Sequence, residues 1–348
     1  IKYNRIKMFV KVCLLACFVA CVYAFERGDW DKYGPFNAAL NSPRVLSCKY
    51  FLVEYCLFHF SSKLANLLIR ILDIESLDKT RQFIMFVGGF TSHINHDIEN
   101  QIREAYKTYP DSYLIIPDHS AYTNNYHGNI RGYERSVTHI HYIGKALGQM
   151  WANINIGGIN AKNIKCVGHS LGGQILGHVG TTFFDITGEK MSRVTALDPA
   201  GPCFVNSVAE DQVRAGVAEY VEVYHCNAGA LGSSNILGDV DFIVNKNGAS
   251  QPNCGTPMMP MMYSSGKAAA CAHRTCVDLW TASVKNPDLF MAYSCESYDE
   301  FKDGHCLTND RTVAGAGNPG TVKGVTSTAG HRPPPYITCL TVKKSNLF

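Results

Sequence analysis

A short apolar run at residues 164–167 leads directly into Gly168-His169-Ser170-Leu171-Gly172-Gly173, and residues 171–184 then follow with the apolar spacing of a helix. No other feature restricts the fold so strongly. A serine held at a tight turn between a strand and a helix needs small neighbours two residues to either side, because the backbone passes close there and the hydroxyl must project outward. The helix after the turn points its first N–H groups toward any negative charge that develops beside the serine. In a glycine-rich chain a G-x-S-x-G pattern alone is weak, and its bland alternative is a Gly-rich loop with a solvent serine. The strand before it and the helix after it give it meaning.

The surrounding sequence supports an α/β reading. Residues 83–87, 113–116, 164–167, 194–197 and 220–224 are short apolar runs bounded by Gly, Pro or Asp, and read as buried strands. Residues 136–151 and 171–184 have helical periodicity. Alternation of this kind predicts a mostly parallel central sheet flanked by helices, in a single domain over 25–348. A further helical-looking stretch covers 61–72, and the tail from Gly304 predicts peripheral strands and loops.

Residues 8–24 carry Lys11, an apolar run and a Val-Tyr-Ala end, the layout of a secretory signal cleaved after Ala24. That run is too short to span a bilayer. Residues 1–7 precede Met8 and read as translated upstream sequence. Residues 1–24 hold Lys2, Arg5, Lys7 and Lys11 and no acid, so without them the formal charge of +3 becomes −1. The basicity belongs to the signal, and no clustered basic face remains to suggest nucleic-acid binding. Eleven cysteines remain, at 48, 56, 166, 203, 226, 254, 271, 276, 295, 306 and 339. In an oxidising, extracellular setting they predict several disulfides and at least one free thiol.

Ser170 is a poor nucleophile unless a base takes its proton and an acid orients that base. In folds with this turn the chain order is Ser, acid, His. Asp198 ends the run at 194–197, where strand ends carry functional groups, although an Asp before Pro199 also suits a plain turn. The downstream histidines are His225, His273, His305 and His331, and spacing alone does not choose among them. His273 lies just behind a cysteine-bounded loop and just ahead of a helical stretch. Neither H-E-x-x-H nor C-x-x-C occurs, so no catalytic metal is expected.

Taken together, Gly168–Gly173, Leu197-Asp198-Pro199-Ala200-Gly201-Pro202, Val240-Asp241-Phe242 with Gln251-Pro252-Asn253-Cys254, and Cys271-Ala272-His273 resemble the pancreatic-lipase-like family, which includes animal phospholipases A1 and many insect lipases. The resemblance covers about 83–306 and implies an α/β-hydrolase fold, with Ser170 as nucleophile, Asp198 as acid, His273 as general base and no cofactor. It implies an oxyanion hole made by the N–H groups of Leu171 and Phe90. The family's His-Gly-Phe reads Gly88-Gly89-Phe90 here. It also implies a lid closed by Cys254 and Cys271, with Met258, Met259, Met261 and Met262 as flexible apolar side chains facing lipid, unless they pack inward. Cys295 and Cys306 match another family pair, and Cys166 is the candidate free thiol.

The chain departs from the pancreatic type in two ways. Only 75 residues follow His273, so a C-terminal β-sandwich domain is not expected. Ala209, Arg214 and Val217 stand where those lipases have acidic calcium ligands, so no metal is expected there. The implied function is a secreted serine hydrolase acting on phospholipid or acylglycerol at a lipid–water interface. Cleavage of the sn-1 ester of phospholipids is expected, because the lid and the loop after His225 are both short. The alternative is a neutral (triacylglycerol) lipase. A non-catalytic lipid-binding or egg-storage role is a third reading, found among insect relatives that lose triad residues.

Overall fold

The computed structural model of the chain describes residues 77–109, 111–124, 130–254, 266–295 and 297–322, with the backbone of 337–340. The signal segment, Cys48, Cys56, the stretch 61–72, His331, Met258, Met259, Met261 and Met262 lie outside the described residues. In chain order the strands are β1 (Gln82–Val87), β2 (Ser112–Ile115), β3 (Ile164–His169), β4 (Arg193–Leu197), β5 (Val221–His225), β6 (Val240–Val244), β7 (Phe290–Cys295), β8 (Arg311–Ala314) and β9 (Ile337–Leu340). The helices are α1 (Asp97–Tyr106), α2 (Ser120–Thr123), α3 (Ile130–Ile156), α4 (Leu171–Thr187), α5 (Lys267–Lys285) and α6 (Tyr298–Lys302).

All the strands join one sheet in the order β2-β1-β3-β4-β5-β6-β9-β7-β8. Neighbours from β2 to β9 are parallel, and β7 runs antiparallel to both β9 and β8. This is an α/β-hydrolase fold. The central strands are predominantly apolar because both faces of the sheet are covered, and the charges within them, such as Glu222 and Asp241, are hydrogen-bonded. Alternate side chains of β1 divide between the two covers: Phe83, Met85 and Val87 pack with α3 and α4, whereas Ile84 and Phe86 pack with α1 and α5. Trp151 on α3 donates its indole N–H to Met85 Sδ at 3.3 Å. On the other face, Trp280 on α5 donates to the Tyr106 hydroxyl at 3.1 Å.

The helix expected at 136–151 extends over Ile130–Ile156. The tail holds a larger difference. β8 lies at the edge of the sheet, but β9 is inserted between β6 and β7 and is not peripheral. A four-residue strand carries no local signal of the neighbours it will pair with, because tertiary contacts decide that choice.

Close approach at the outer layer depends on α4. Its Gly180 sits directly on the backbone at Val217, where an added Cβ would overlap the Val217 carbonyl oxygen and lie 2.9 Å from Val217 Cβ. In an exposed helix, replacing glycine by alanine gains roughly 0.5–1 kcal/mol. Here the overlap should win, because overpacking a close-packed interior costs about 1–3 kcal/mol. Gly180→Ala is therefore expected to lower the urea midpoint at constant m-value, and a raised midpoint would contradict this account of the α4 packing.

Candidate active site

β3 runs two residues beyond its apolar run to His169, and α4 begins at Leu171, so Ser170 stands alone between strand and helix. Its backbone is held at φ 58°, ψ −122°, a conformation that an L-residue rarely adopts. Backbone hydrogen bonds from both sides hold it there. The Ser170 N–H donates to Leu197 O at 3.1 Å, and its carbonyl accepts from the N–H groups of Gly173 and Ala200, each at 3.0 Å. The two flanking glycines are required by contact: a Cβ on Gly168 would overlap Gly172 O, and one on Gly172 would overlap Val87 O. Ser170 Oγ has no hydrogen-bond partner among the described residues.

Asp198 follows β4, is fully buried and has φ 45°. Its Oδ1 accepts from the N–H groups of Cys226 at 2.8 Å and Asn227 at 3.0 Å, and its Oδ2 accepts from His273 Nδ1 at 2.5 Å. Gly232 covers the carboxylate, where an added Cβ would lie 2.6 Å from Asp198 Cγ. With Nδ1 donating, the His273 Nε2 lone pair is the one left to accept a proton. His273 was expected just ahead of a helix, but it lies inside one. α5 starts at Lys267, because the run Ala268-Ala269-Ala270 is strongly helix-forming.

Three disulfides are formed among the described residues: Cys254–Cys271, Cys295–Cys306 and Cys226–Cys276. The last of them joins the residue after β5 to α5 one turn beyond His273, and no motif signalled it. Cys166 is free and buried in β3, and burial pushes its thiol pKa up.

Gly88-Gly89-Phe90 leaves β1 beside the serine, where a Cβ on Gly89 would lie 2.8 Å from Ser170 Cβ and 3.3 Å from Oγ. The Phe90 ring packs edge-on against Tyr133, with centroids 5.4 Å apart. Neither the Phe90 nor the Leu171 N–H donates to a described residue. Sequence reasoning missed two histidines at this site. The imidazole of His169, inside the serine motif itself, meets the His273 carbonyl at 3.1 Å through Nε2. His119 is buried against the Gly88 carbonyl and the Thr123 hydroxyl, and nothing local marked it.

His225 is excluded as an alternative base, since its Nε2 meets Asp241 Oδ1 at 2.7 Å and its Nδ1 meets Ser233 O at 3.0 Å. Burial alone would lower its pKa, but these acceptors and the Asp198 charge together raise it. Asp241 also accepts from the N–H groups of Leu237 and Gly238, so the pair pins the β5–β6 loop. Among the described residues, no three His, Cys, Asp or Glu side chains are grouped to hold a metal ion. Of the three residues expected to stand in place of acidic calcium ligands, Arg214 donates to the Ala209 and Gln212 carbonyls, and Val217 is buried. A nucleophile beside unoccupied backbone donors, near an imidazole aligned by a buried acid, can carry out acyl transfer.

The Lipase family model matches residues 74–328. Lipase member H of Danio rerio is 39% identical over 150 residues, which cover 43% of this chain and 31% of that protein. Lipase member H of Rattus norvegicus is 26% identical over 297 residues, covering 85% and 62%. Phospholipase A1 member A of Homo sapiens is 35% identical over 150 residues, covering 43% and 31%. The chain thus spans from 31% to 62% of the length of these relatives.

Buried histidines set the acid limit of the fold. Burial holds His119 down to about 4, His178 down to about 3 and His169 well below its ordinary value. Each is neutral when folded and free to protonate when unfolded, so the unfolded state binds more protons below about pH 6.5. Stability should therefore fall as pH drops from 6.5 toward 4, by more than about 1.4 kcal/mol per unit once several sites contribute. The raised pKa of His225 acts in the other direction: its contribution is complete below about 6.5 and is lost as pH rises through the folded value. Urea midpoints that stay level between pH 7 and pH 5 would overturn this assignment.

Proposed function

The chain belongs to the Lipase family, and we propose that it hydrolyses carboxylic esters of lipids, with Ser170 as nucleophile, His273 as general base and Asp198 as the acid that orients it. The observation that carries this reading is the Asp198–His273 hydrogen bond. It fixes the tautomer in which Nε2 can take the Ser170 proton. As the hydroxyl oxygen attacks the ester carbonyl, the proton passes to His273, and the N–H groups of Leu171 and Phe90 stabilise the oxyanion. His273 then protonates the departing glycerol oxygen. Water, deprotonated by the same imidazole, releases the fatty acid and restores the serine. No step calls for a cofactor or for calcium.

The substrate we infer is a phosphoglyceride cleaved at sn-1. A triacylglycerol offers three acyl chains for burial and suits an extended apolar platform, whereas a charged head group needs an open, solvated cleft wall. Both elements that could build such a platform are short or folded down. Sixteen residues lie between Cys254 and Cys271, and the last four of them, Lys267–Ala270, already belong to α5. The β5–β6 loop lies back on Asp198, with Ser233 N–H donating to Pro199 O at 2.7 Å and Gly201 N–H to Leu231 O at 2.9 Å. Similarity to a protein named phospholipase A1 member A favours the same substrate. Met258, Met259, Met261 and Met262 are proposed as lipid contacts. Secretion is proposed from the disulfides, which need an oxidising compartment. No helix among the described residues is long and apolar enough to cross a membrane.

Two measurements test this reading. Folded Ser170→Ala and His273→Ala variants should lose on the order of 10⁴–10⁶ in kcat on a soluble ester. Near-normal turnover by either would exclude the triad. The wild-type protein should release 2-acyl lysophospholipid from micellar phosphatidylcholine or phosphatidylserine faster than it releases fatty acid from emulsified triolein. The reverse order, without lysophospholipid, would establish a neutral lipase in its place.

A further inference from the structure

α1 brings an unusual group to the back of the loop that carries Phe90. Glu99, in its first turn, is 2% exposed and points its carboxyl at Gly88 and Ser92. A Cβ on Gly88 would overlap Glu99 Oε1, so the carboxyl occupies the space that a side chain at position 88 would need. That is the position where the sequence has glycine in place of histidine. Ser92 Oγ accepts from the Gly89 N–H at 3.2 Å and stands on the same side of Gly88 as this carboxyl, 2.7 Å from where an added Cβ would lie, which places its hydroxyl to donate to Glu99. Glu99 Oε2 has no hydrogen-bond partner among the described residues, and the His96 imidazole stands beside it with Nδ1 3.4 Å away. Nδ1 already accepts from the Ile98 N–H as the helix cap. A buried carboxyl so poorly compensated is a burden on the fold, and burial correspondingly raises its pKa.

A serine hydroxyl has one proton and rotates freely. With no acceptor on its far side, Ser92 could turn that proton elsewhere and present the wrong face to Gly89. We propose that Glu99 is a positioning residue for the oxyanion hole: by taking the Ser92 proton in a hydrogen bond, it fixes Ser92 Oγ as the acceptor for Gly89 N–H and so sets the peptide that aims Phe90 N–H at the substrate. The carbonyl side of the same loop is held by His119 at Gly88. Glu99 touches no substrate and acts only through Ser92. The inference rests on reading Phe90 N–H as an oxyanion donor.

The test measures kcat and KM separately on p-nitrophenyl butyrate, with melting temperature alongside. Glu99→Leu and Ser92→Ala should each lower kcat roughly tenfold, less than outright removal of a donor, with KM within about twofold. The double variant should be no worse than either single one, because the two residues act as one relay. Glu99→Gln should keep most of kcat, since its amide oxygen still accepts from Ser92. Wild-type kcat in Ser92→Ala, losses that multiply in the double variant, or an effect confined to melting temperature would overturn the proposal. If Glu99→Leu does not fold, Ser92→Ala alone and combined with Glu99→Gln decides by the same criteria. Ser170→Ala separates the layers. Its inactivity beside fully active Ser92 and Glu99 variants would refute the relay alone, whereas residual wild-type turnover would refute the active-site reading and the relay with it.

Discussion

The Asp198 carboxylate is the point on which four segments of the chain converge. It sits at the end of β4, accepts two amides from the end of β5, is covered by the backbone at Gly232 and holds an imidazole from α5. A carboxylate removed from water is tolerated only when its oxygens are hydrogen-bonded. Satisfying this one group therefore dictates where the strand ends lie, how the β5–β6 loop folds back and how α5 is rotated. The buried His225–Asp241 pair extends the same logic one layer outward, holding the loop that covers Asp198.

Ser170 is governed by a different constraint. Its positive φ is unfavourable by about 1–3 kcal/mol and persists because the surroundings over-determine it. Leu197 O and Ala200 N–H fix it from the β4 side, and Val87 presses on Gly172 from β1. The strain and the acid are thus linked through Leu197 to Ala200, a segment that supports the serine from one end and carries Asp198 in its middle. The Ser170 turn and the Asp198 carboxylate share one piece of backbone.

Much of the frame is legible in the sequence, because parallel strands covered on both faces are predominantly apolar. β1, β3, β4 and β5 stand out for that reason, and the serine turn follows from its glycines. Asp198 and His273 were legible only through resemblance: an Asp before a Pro and one histidine among several carry no local mark of their roles. β9 was misjudged as peripheral, since four residues cannot announce their neighbours. α5 began earlier than expected because an alanine run was read as lid. The Cys226–Cys276 bond, the His225–Asp241 pair and Glu99 all depend on contacts between residues far apart in sequence. Glu99 in particular reads as an ordinary acidic residue in the first turn of a helix, and only the packing of α1 on Gly88 turns it inward.

The Cys226–Cys276 bond also bears on how Asp198 and His273 find each other. Asp198 and His273 are separated by 75 residues of chain. Once the disulfide closes, the shorter route runs 28 residues from Asp198 to Cys226, across the sulfurs, and back one turn of α5 to His273. The entropy of closing a loop grows with the logarithm of its length, so this shortcut reduces the closure term by about 0.8 kcal/mol. Oxidation and the assembly of the acid–base pair are therefore coupled: a chain that has formed this one covalent loop has already made part of the search that brings its imidazole to its carboxylate.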